Sequence, residues 1–489
     1  MHVHILGIAG SFMASLALLA RGLGHTVSGA DQNVYPPMST QLDEQGIHWR
    51  EGYDPAALDP PPDTVVIGNA LSRGNASVEA VLEHGLPYTS GAQWIADTVL
   101  PGRAVLAVAG THGKTTTSSM LAWILDQAGL APGFLIGGIP ENFGVSARLG
   151  DVQGRTSAAG DRMSRAATGR PFVIEADEYD TAFFDKRSKF VHYRPRIAIL
   201  NNLEYDHADI FPDLAAIQRQ FHHLVRSVPA GGRLIVNAHD KALAEVLAMG
   251  AWTPVETFAI DGQGVKADWR ARVLNAEASH FEVLRGERSL GEVHWSLPGQ
   301  HNMLNGVAAI AAAAAAGVKP ALAISALAAF RNAKRRLEVR GVVNGVTVYD
   351  DFAHHPTAIA ATLEALRARI GTQRLIAALE PRSNTMKLGV HRDVLGSSLV
   401  LADRVHLFKP ADLTWNLERV LKVLDGRGQM HTRVETIVET IVADARPGDH
   451  VLIMSNGAFG GIHARLLERL GQSNASAGLA GKPVSVQSD

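Results

Sequence analysis

Hydrophobic positions along the chain fall into short blocks that alternate with helical patterns. His2 to Gly7 is a β-rich run that passes through GIAGSFM into Ala14 to Gly22, a helical segment closed by glycine, and together they predict a βα unit. A second strand is expected at His25 to Gly29, ending at Asp31, and runs such as Thr64 to Ile67 carry the alternation to about residue 100, where Pro101-Gly102 punctuates the chain. Ala104 to Gly110 has the pattern of a buried strand feeding a Gly-Lys-Thr turn, and Thr115 to Ala128 follow with helical periodicity. Phe172 to Glu175, Ile197 to Asn201 and Leu234 to Asn237 are short, apolar and end in polar residues, as strands of a doubly covered sheet do. Asn305 to Ala316 is almost solid alanine and predicts a packed helix with no chemistry of its own. A third α/β region begins near Val339, with strands at Val346 to Tyr349, Leu375 to Leu379 and Val451 to Met454. Gly150 to Arg170, rich in Gly, Ser, Ala and Arg, has the composition of a flexible excursion, and the residues after Gly471 that of a disordered tail.

At 489 residues the chain is too long for one core, and the usual ~100 to 200 residues per domain predict about three. Hydrophobic residues at 46% and charged ones at 19% suit ordinary globular cores. Lys plus Arg total 46 against 48 for Asp plus Glu, so no global field favours nucleic acid or anionic lipid, and any phosphate binding must be local. The absence of cysteine excludes disulfides, thiolate metal sites and cysteine nucleophiles. The opening apolar stretch lacks a preceding basic residue, is interrupted by Ser11 and Ser15, and fits a strand, turn and helix better than a signal sequence. With no run of ~18 apolar residues, the expectation is a cytoplasmic protein with no nucleic-acid or membrane partner, a monomer or weak homo-oligomer.

Chemistry concentrates at Gly110 to Thr117, GTHGKTTT, between a predicted strand and a predicted helix. Gly110 and Gly113 let backbone N-H groups approach phosphate oxygens, Lys114 carries a compact charge to the β- and γ-phosphates, and Thr115 offers a hydroxyl to Mg²⁺. Val108 stands where the standard phosphate loop has glycine, so this is a variant loop. Carboxylates for the ion are at hand in FVIEADEYD: Glu175, Asp177, Glu178 and Asp180 crowd the end of a strand, the edge at which open α/β sheets bind ligands. IAILNN runs into LEYDHAD and brings Asp206 and His207 to the same edge, where His207 is either a metal ligand or a loop histidine. At the N-terminus Gly7 and Gly10 precede a helix whose start can accept a pyrophosphate, with Asp31 nearby, although a lone G-x-x-G is a weak signal.

GTHGKTTT, EADE, NLEYDH, GQHNMLN (Gly299 to Asn305) and DDFAHHPTA (Asp350 to Ala358), in this order, resemble the Mur ligase family of peptidoglycan synthesis. The resemblance covers residues 1 to 470 and implies three α/β domains. These are a Rossmann-like UDP-sugar domain at 1–100, a P-loop ATPase-type domain with a parallel or mixed sheet at 101–337, and a Rossmann-like closing domain at 338–471, ahead of the tail at 472–489. It implies ATP as co-substrate on Gly110, Thr111, His112, Gly113, Lys114, Thr115 and Thr116. It also implies two Mg²⁺ ions on Thr115, Glu175 and His207, with Lys114, Glu175 and His207 serving the chemistry. Asn302 is expected to face the adenine, and Arg336, Asp351 and His354 to meet the nucleotide; by themselves Asn302 is an ordinary helix-entry residue and Arg336 part of a solvated cluster. Gly7, Gly10, Asp31 and Asn142 are expected to bind the UDP-sugar.

Several family members carry a carbamylated lysine on the helix after the Asp-His pair, and Asp213 to Arg226 contains no lysine. Within the branch that lacks it, NVYPPMST, PENFGVSARLG and EPRSNTMKLGVHRD resemble a member that joins a murein tripeptide, L-alanyl-γ-D-glutamyl-meso-diaminopimelate, to the lactyl carboxylate of UDP-N-acetylmuramate. Arg382, Ser383 and Asn384 would hold that carboxylate-rich peptide. The rival is a ligase adding free L-alanine to the same sugar; a P-loop switch or transport ATPase and a nicotinamide oxidoreductase explain fewer of the motifs.

Overall fold

The structure, a computed structural model, describes residues 1–32, 34–151 and 169–479, with side chains through 472. Asn33, residues 152–168 of the expected excursion and residues 480–489 of the expected tail lie outside the described residues. The chain forms two compact units, Met1–Lys334 and the remainder from Arg335.

The first unit contains two sheets. Strands β1 (His2–Leu6), β2 (Thr26–Asp31), β3 (His48–Glu51), β4 (Thr64–Ile67) and β5 (Tyr88–Ser90) pair in parallel in the order β3-β2-β1-β4-β5. This is a Rossmann-like arrangement, with the order reversing beside β1. A ten-stranded mixed sheet follows, made of β6 (Arg103–Ala109), β7 (Gly133–Leu135), β8 (Ala147–Arg148), β9 (Arg170–Ala176), β12 (Ile197–Leu200), β13 (Arg233–Asn237), β14 (Val255–Ile260), β15 (Trp269–Val273), β16 (His280–Arg285) and β17 (Arg288–His294). Its order is β17-β16-β15-β14-β13-β12-β6-β9-β7-β8. The hairpin β10 (Asp180–Ala182) and β11 (Asp185–Ser188) stands apart. Strands β12, β6 and β9 are adjacent and parallel, so the segments that leave their C-terminal ends, at Gly110, Asp177 and Asn201, emerge side by side.

Burial on both faces explains the near-continuous apolar strands: Val105 to Ala109, Phe172 to Ile174 and Ile197 to Leu200 are all buried. One hydrophobic cluster includes Ile5, Phe12 and Leu16 together with Val105, Ala107, Phe172 and Ile174, so the two sheets share a core. A buried polar network reinforces the junction: Ser15 Oγ lies 2.7 Å from Ser146 Oγ, Gln41 Nε2 donates to Ser146 Oγ at 2.8 Å, and Gln41 Oε1 accepts from Ser146 N at 2.7 Å. The alanine-rich segment lies within helix Gln300–Ala315, buried over most of its length.

The second unit has one sheet, β18 (Glu338–Val343), β19 (Val346–Asp351), β20 (Leu375–Leu379), β21 (Arg404–Phe408), β22 (Gly428–His431) and β23 (His450–Met454), in the order β18-β19-β23-β20-β21-β22. All neighbours are parallel except the edge pair β18 and β19. The last helix runs Ile462–Leu479, so helical backbone continues into the first part of the segment expected as a tail.

Candidate active site

Gly110 leaves β6 at φ 151° and Gly113 enters helix Lys114–Gln127 at φ 79°, conformations that side chains beyond glycine rarely adopt. At Gly113 a Cβ would also lie 2.7 Å from both Asn201 Nδ2 and Asn305 Oδ1. The loop is moulded by the segment after β12: Thr111 N donates to Asn202 O at 3.1 Å, His112 N to Asn202 Oδ1 at 2.7 Å, and Asn201 Nδ2 to His112 O at 3.1 Å. Glu204 N donates to Thr111 Oγ1 at 2.9 Å, and Glu204 Oε2 meets His112 Nε2 at 3.1 Å. Thr116 Oγ1 donates to Asn332 Oδ1 at 3.1 Å.

Lys114 folds back over its loop, donating to Gly110 O at 2.6 Å and to Glu178 Oε2 at 2.9 Å, with Asp177 Oδ1 at 3.7 Å. Burial disfavours its charge, but Glu178 and Asp177 outweigh burial and raise its pKa. The other oxygen of Glu178 meets His207 Nε2 at 3.0 Å. Burial pushes the Glu178 carboxyl toward the neutral acid, yet Lys114 and His207 win and hold it at about 2. His207 is likewise driven down by burial and raised on balance by its hydrogen bond to Glu178. His207 takes a left-handed φ of 56°, uncommon for a non-glycine residue, which fixes the imidazole at the turn after β12.

Glu175, the last but one residue of β9, accepts from Thr115 Oγ1 at 3.1 Å and from Gly137 N at 2.7 Å. Two hard oxygen donors at this separation suit neighbouring positions around an octahedral cation with bonds of about 2.0 to 2.1 Å, so Thr115 and Glu175 fit Mg²⁺.

The N-terminal turn is organised by Asp31: its carboxylate accepts from Ala9 N and Gln32 N at 2.8 Å each and from Tyr53 Oη at 2.9 Å. Burial, then Asp31, raises the Tyr53 pKa and keeps the phenol a donor. Gly7 sits at φ 84°, and Gly10 caps helix Ser11–Gly22 with no side-chain cap on its N-H groups. Asn142 lies elsewhere, donating to Ala329 O at 3.0 Å and accepting from Arg331 N at 2.7 Å. Asn302 turns back on its own helix start and donates to Pro298 O at 2.8 Å.

In the second unit Asp351 is buried and accepts from Leu337 N at 2.7 Å and Ala353 N at 2.8 Å. The Arg336 guanidinium lies 4.8 Å from the centre of the Phe352 ring, and His354 Nδ1 is 3.0 Å from Phe352 O. Ser383 caps helix Asn384–Lys387, accepting from Met386 N at 3.3 Å. Arg382 crosses the loop after β23 so closely that a Cβ on Gly457 would lie 1.5 Å from its Nη1.

Family models match almost the whole chain: the Mur ligase family catalytic domain over residues 2–101, the Mur ligase middle domain over 108–313 and the Mur ligase glutamate ligase domain over 335–457. The UDP-N-acetylmuramate–L-alanyl-γ-D-glutamyl-meso-2,6-diaminoheptandioate ligase of Escherichia coli K12 is 56% identical, covering 98% of this chain and 100% of its own. The chain belongs to the Mur ligase family. A UDP-N-acetylmuramate–L-alanine ligase of Roseiflexus castenholzii reaches 34% identity over 97% of the chain and 98% of its own length. The crystal structure of a murein peptide ligase from Psychrobacter arcticus is 48% identical, with a TM-score of 0.75 over 96% of this chain and 99% of that one.

For this Mur ligase the structure brings together Lys114, Thr115, Glu175 and His207, as the motifs predict, and adds Glu178 at their centre. It also puts Asn305 against the loop, its Oδ1 accepting from Asn201 Nδ2 at 2.8 Å. The signals for both were present: a second glutamate in EADE, and an asparagine three residues, nearly one turn, beyond Asn302.

Proposed function

We propose that the chain is an ATP-dependent ligase that joins the α-amine of L-alanyl-γ-D-glutamyl-meso-diaminopimelate to the lactyl carboxylate of UDP-N-acetylmuramate, in peptidoglycan recycling. The observation that carries the acceptor is the 56% identity, across the whole chain, to a relative named for that tripeptide, against 34% to one named for L-alanine. Residues 1–100 are assigned to the sugar nucleotide, with Gly7 and Gly10 at its pyrophosphate, 101–337 to ATP, and 338–471, through Arg382, to the acceptor. Cytoplasm, where ATP is made, is the assigned compartment.

A carboxylate does not react with an amine at neutral pH until it has a better leaving group. In the proposed reaction the lactyl carboxylate attacks the γ-phosphorus, ADP leaves, and the peptide amine attacks the resulting acyl phosphate, loses a proton and expels phosphate. Lys114 exchanges its Glu178 contact for the γ-phosphate and neutralises charge as it develops. The loop, pinned at Thr111 and His112 by Asn202 and Glu204, orients the phosphate chain. Mg²⁺ on Thr115 and Glu175 would supply Lewis-acid charge at the phosphates, and Glu178 with His207 offers donors for a second ion.

Phosphate release with ATP, UDP-N-acetylmuramate and either the tripeptide or L-alanine tests the assignment. Turnover that needs the sugar and strongly prefers the tripeptide supports it. Preference for L-alanine selects the rival ligase, and hydrolysis without the sugar selects a plain ATPase.

A further inference from the structure

Lys189 plays no part in the scheme above, yet it is 5% exposed and stands at the edge of the carboxylate cluster. Its place is set firmly. Ser188 Oγ donates to Glu178 O at 2.6 Å, Lys189 N donates to Tyr179 O at 2.9 Å, and Phe190 is fully buried against Phe221 with ring centres 5.4 Å apart. The β10–β11 hairpin therefore returns the chain to the site and delivers a lysine there.

An ammonium has three donors, and burying it without acceptors is costly. Among the described residues Lys189 Nζ finds no acceptor within hydrogen-bond distance; the nearest carboxylate oxygen, Asp177 Oδ2, is at 4.0 Å. What surrounds it otherwise is aromatic: Phe12 at 4.9 Å and Tyr179 at 5.6 Å to the ring centres. Burial lowers its pKa, the sign of a cation short of partners, although Asp177, Asp180 and Glu178 work the other way and Lys114 adds repulsion.

Two further relations specify the missing partner. Asp177 lies between the two lysines, Oδ1 3.7 Å from Lys114 Nζ and Oδ2 4.0 Å from Lys189 Nζ, so Lys189 is one carboxylate away from the γ-phosphate position. Phe12 is the second residue of helix Ser11–Gly22, which follows the turn assigned to the sugar nucleotide. Lys189 thus stands where the sugar's reactive end must meet ATP. An anionic carboxylate approaching an anionic γ-phosphate repels it, and a fixed cation there reduces that repulsion.

We propose that Lys189 is a substrate-binding residue that receives the lactyl carboxylate of UDP-N-acetylmuramate and holds it for attack on the γ-phosphate. This rests on the functional reading above. The contact is a charge-assisted hydrogen bond, which sets the expected effect at about tenfold to a hundredfold in affinity.

The test compares UDP-N-acetylmuramate with its lactyl carboxamide analogue, equal in shape and uncharged, by calorimetry on the full chain without ATP or peptide. Wild type should bind the carboxamide about tenfold to a hundredfold more weakly. Lys189→Met should bind both ligands alike, at the wild-type affinity for the carboxamide. A variant that still discriminates, or that weakens both ligands equally, overturns the proposal, the latter pointing to a diphosphate contact or a structural role. Should Lys189→Met fail to fold, Lys189→Gln replaces it, and a wild type indifferent to the carboxamide change overturns the proposal without any variant. Wild type that makes no phosphate with the sugar and tripeptide defeats the functional reading itself; wild type that turns over but does not discriminate defeats only the role of Lys189.

Discussion

Glu178 Oε2 lies 2.9 Å from Lys114 Nζ, with Glu178 buried and Lys114 partly so, and the lysine offered to the γ-phosphate therefore also neutralises a carboxylate inside the fold. Lys114→Ala should lower ADP formation by about a thousandfold or more, as loss of a preorganised charge at a transition state does. It should also destabilise the protein by about 3 kcal/mol, because Glu178 is left buried without its cation. Binding of UDP-N-acetylmuramate should persist. Turnover assays, denaturant unfolding and calorimetry check the three parts, and a fully active variant refutes the loop assignment.

The phosphate loop was legible in the sequence because its parts are contiguous: a buried strand, two glycines, a lysine and a helix start. The strands themselves were equally plain where they are apolar throughout, as at Leu375–Leu379, which the structure reproduces. What surrounds the loop was not legible, since Asn201, Asn202 and Glu204 reach it only because β12 lies next to β6, and strand order is a tertiary fact. The polar-faced hairpins β10–β11 and β16–β17 escaped for a related reason: their residues alternate too irregularly to separate from loop. Asp31 and Asp351 show a further limit. Each stands at a strand end and accepts from a backbone N-H of its own turn, Gln32 or Ala353, and from one distant in sequence, Ala9 or Leu337, and a sequence does not say which donors a carboxylate will meet.

That Asp351 holds backbone predicts a stability effect. Asp351→Asn places an amide N-H₂ against either Leu337 N or Ala353 N, donor against donor, and should cost about 1 to 3 kcal/mol in the second unit. Denaturant unfolding measures it. An unchanged midpoint with weakened ATP binding would instead support the nucleotide role that the motif implies.

A pH effect follows from His406 and His431, whose Nδ1 and Nε2 atoms are 3.1 Å apart. Burial, then the neighbouring His431, lowers His406 from 6.5 to about 4. A depressed histidine stays neutral in the fold while the unfolded chain takes up a proton, so stability falls as pH drops from about 6.5 toward about 4. At pH 5 the loss from this group is about 2 kcal/mol. Unfolding free energies at pH 7 and pH 5 should show His406→Gln less acid-sensitive than wild type by that order. Equal sensitivity in the two proteins would place the histidine pair outside the acid response.

Arg382 and Gly457 give a way to test the acceptor assignment without deleting the arginine. Gly457 has no left-handed φ, so alanine is allowed by the backbone, but its Cβ would fall 1.5 Å from Arg382 Nη1 and force the guanidinium aside. If Arg382 binds a carboxylate of the tripeptide, Gly457→Ala should raise KM for the peptide by about tenfold to a hundredfold, as Arg382→Ala should, with KM for ATP and for the sugar little changed. The two changes remove one interaction by different routes, so the double variant should be no worse than the more damaged single variant. Steady-state kinetics with the peptide varied decides it. Additive losses would mean that Gly457 acts on something other than Arg382, and unchanged peptide kinetics in Arg382→Ala would remove the residue from the acceptor site.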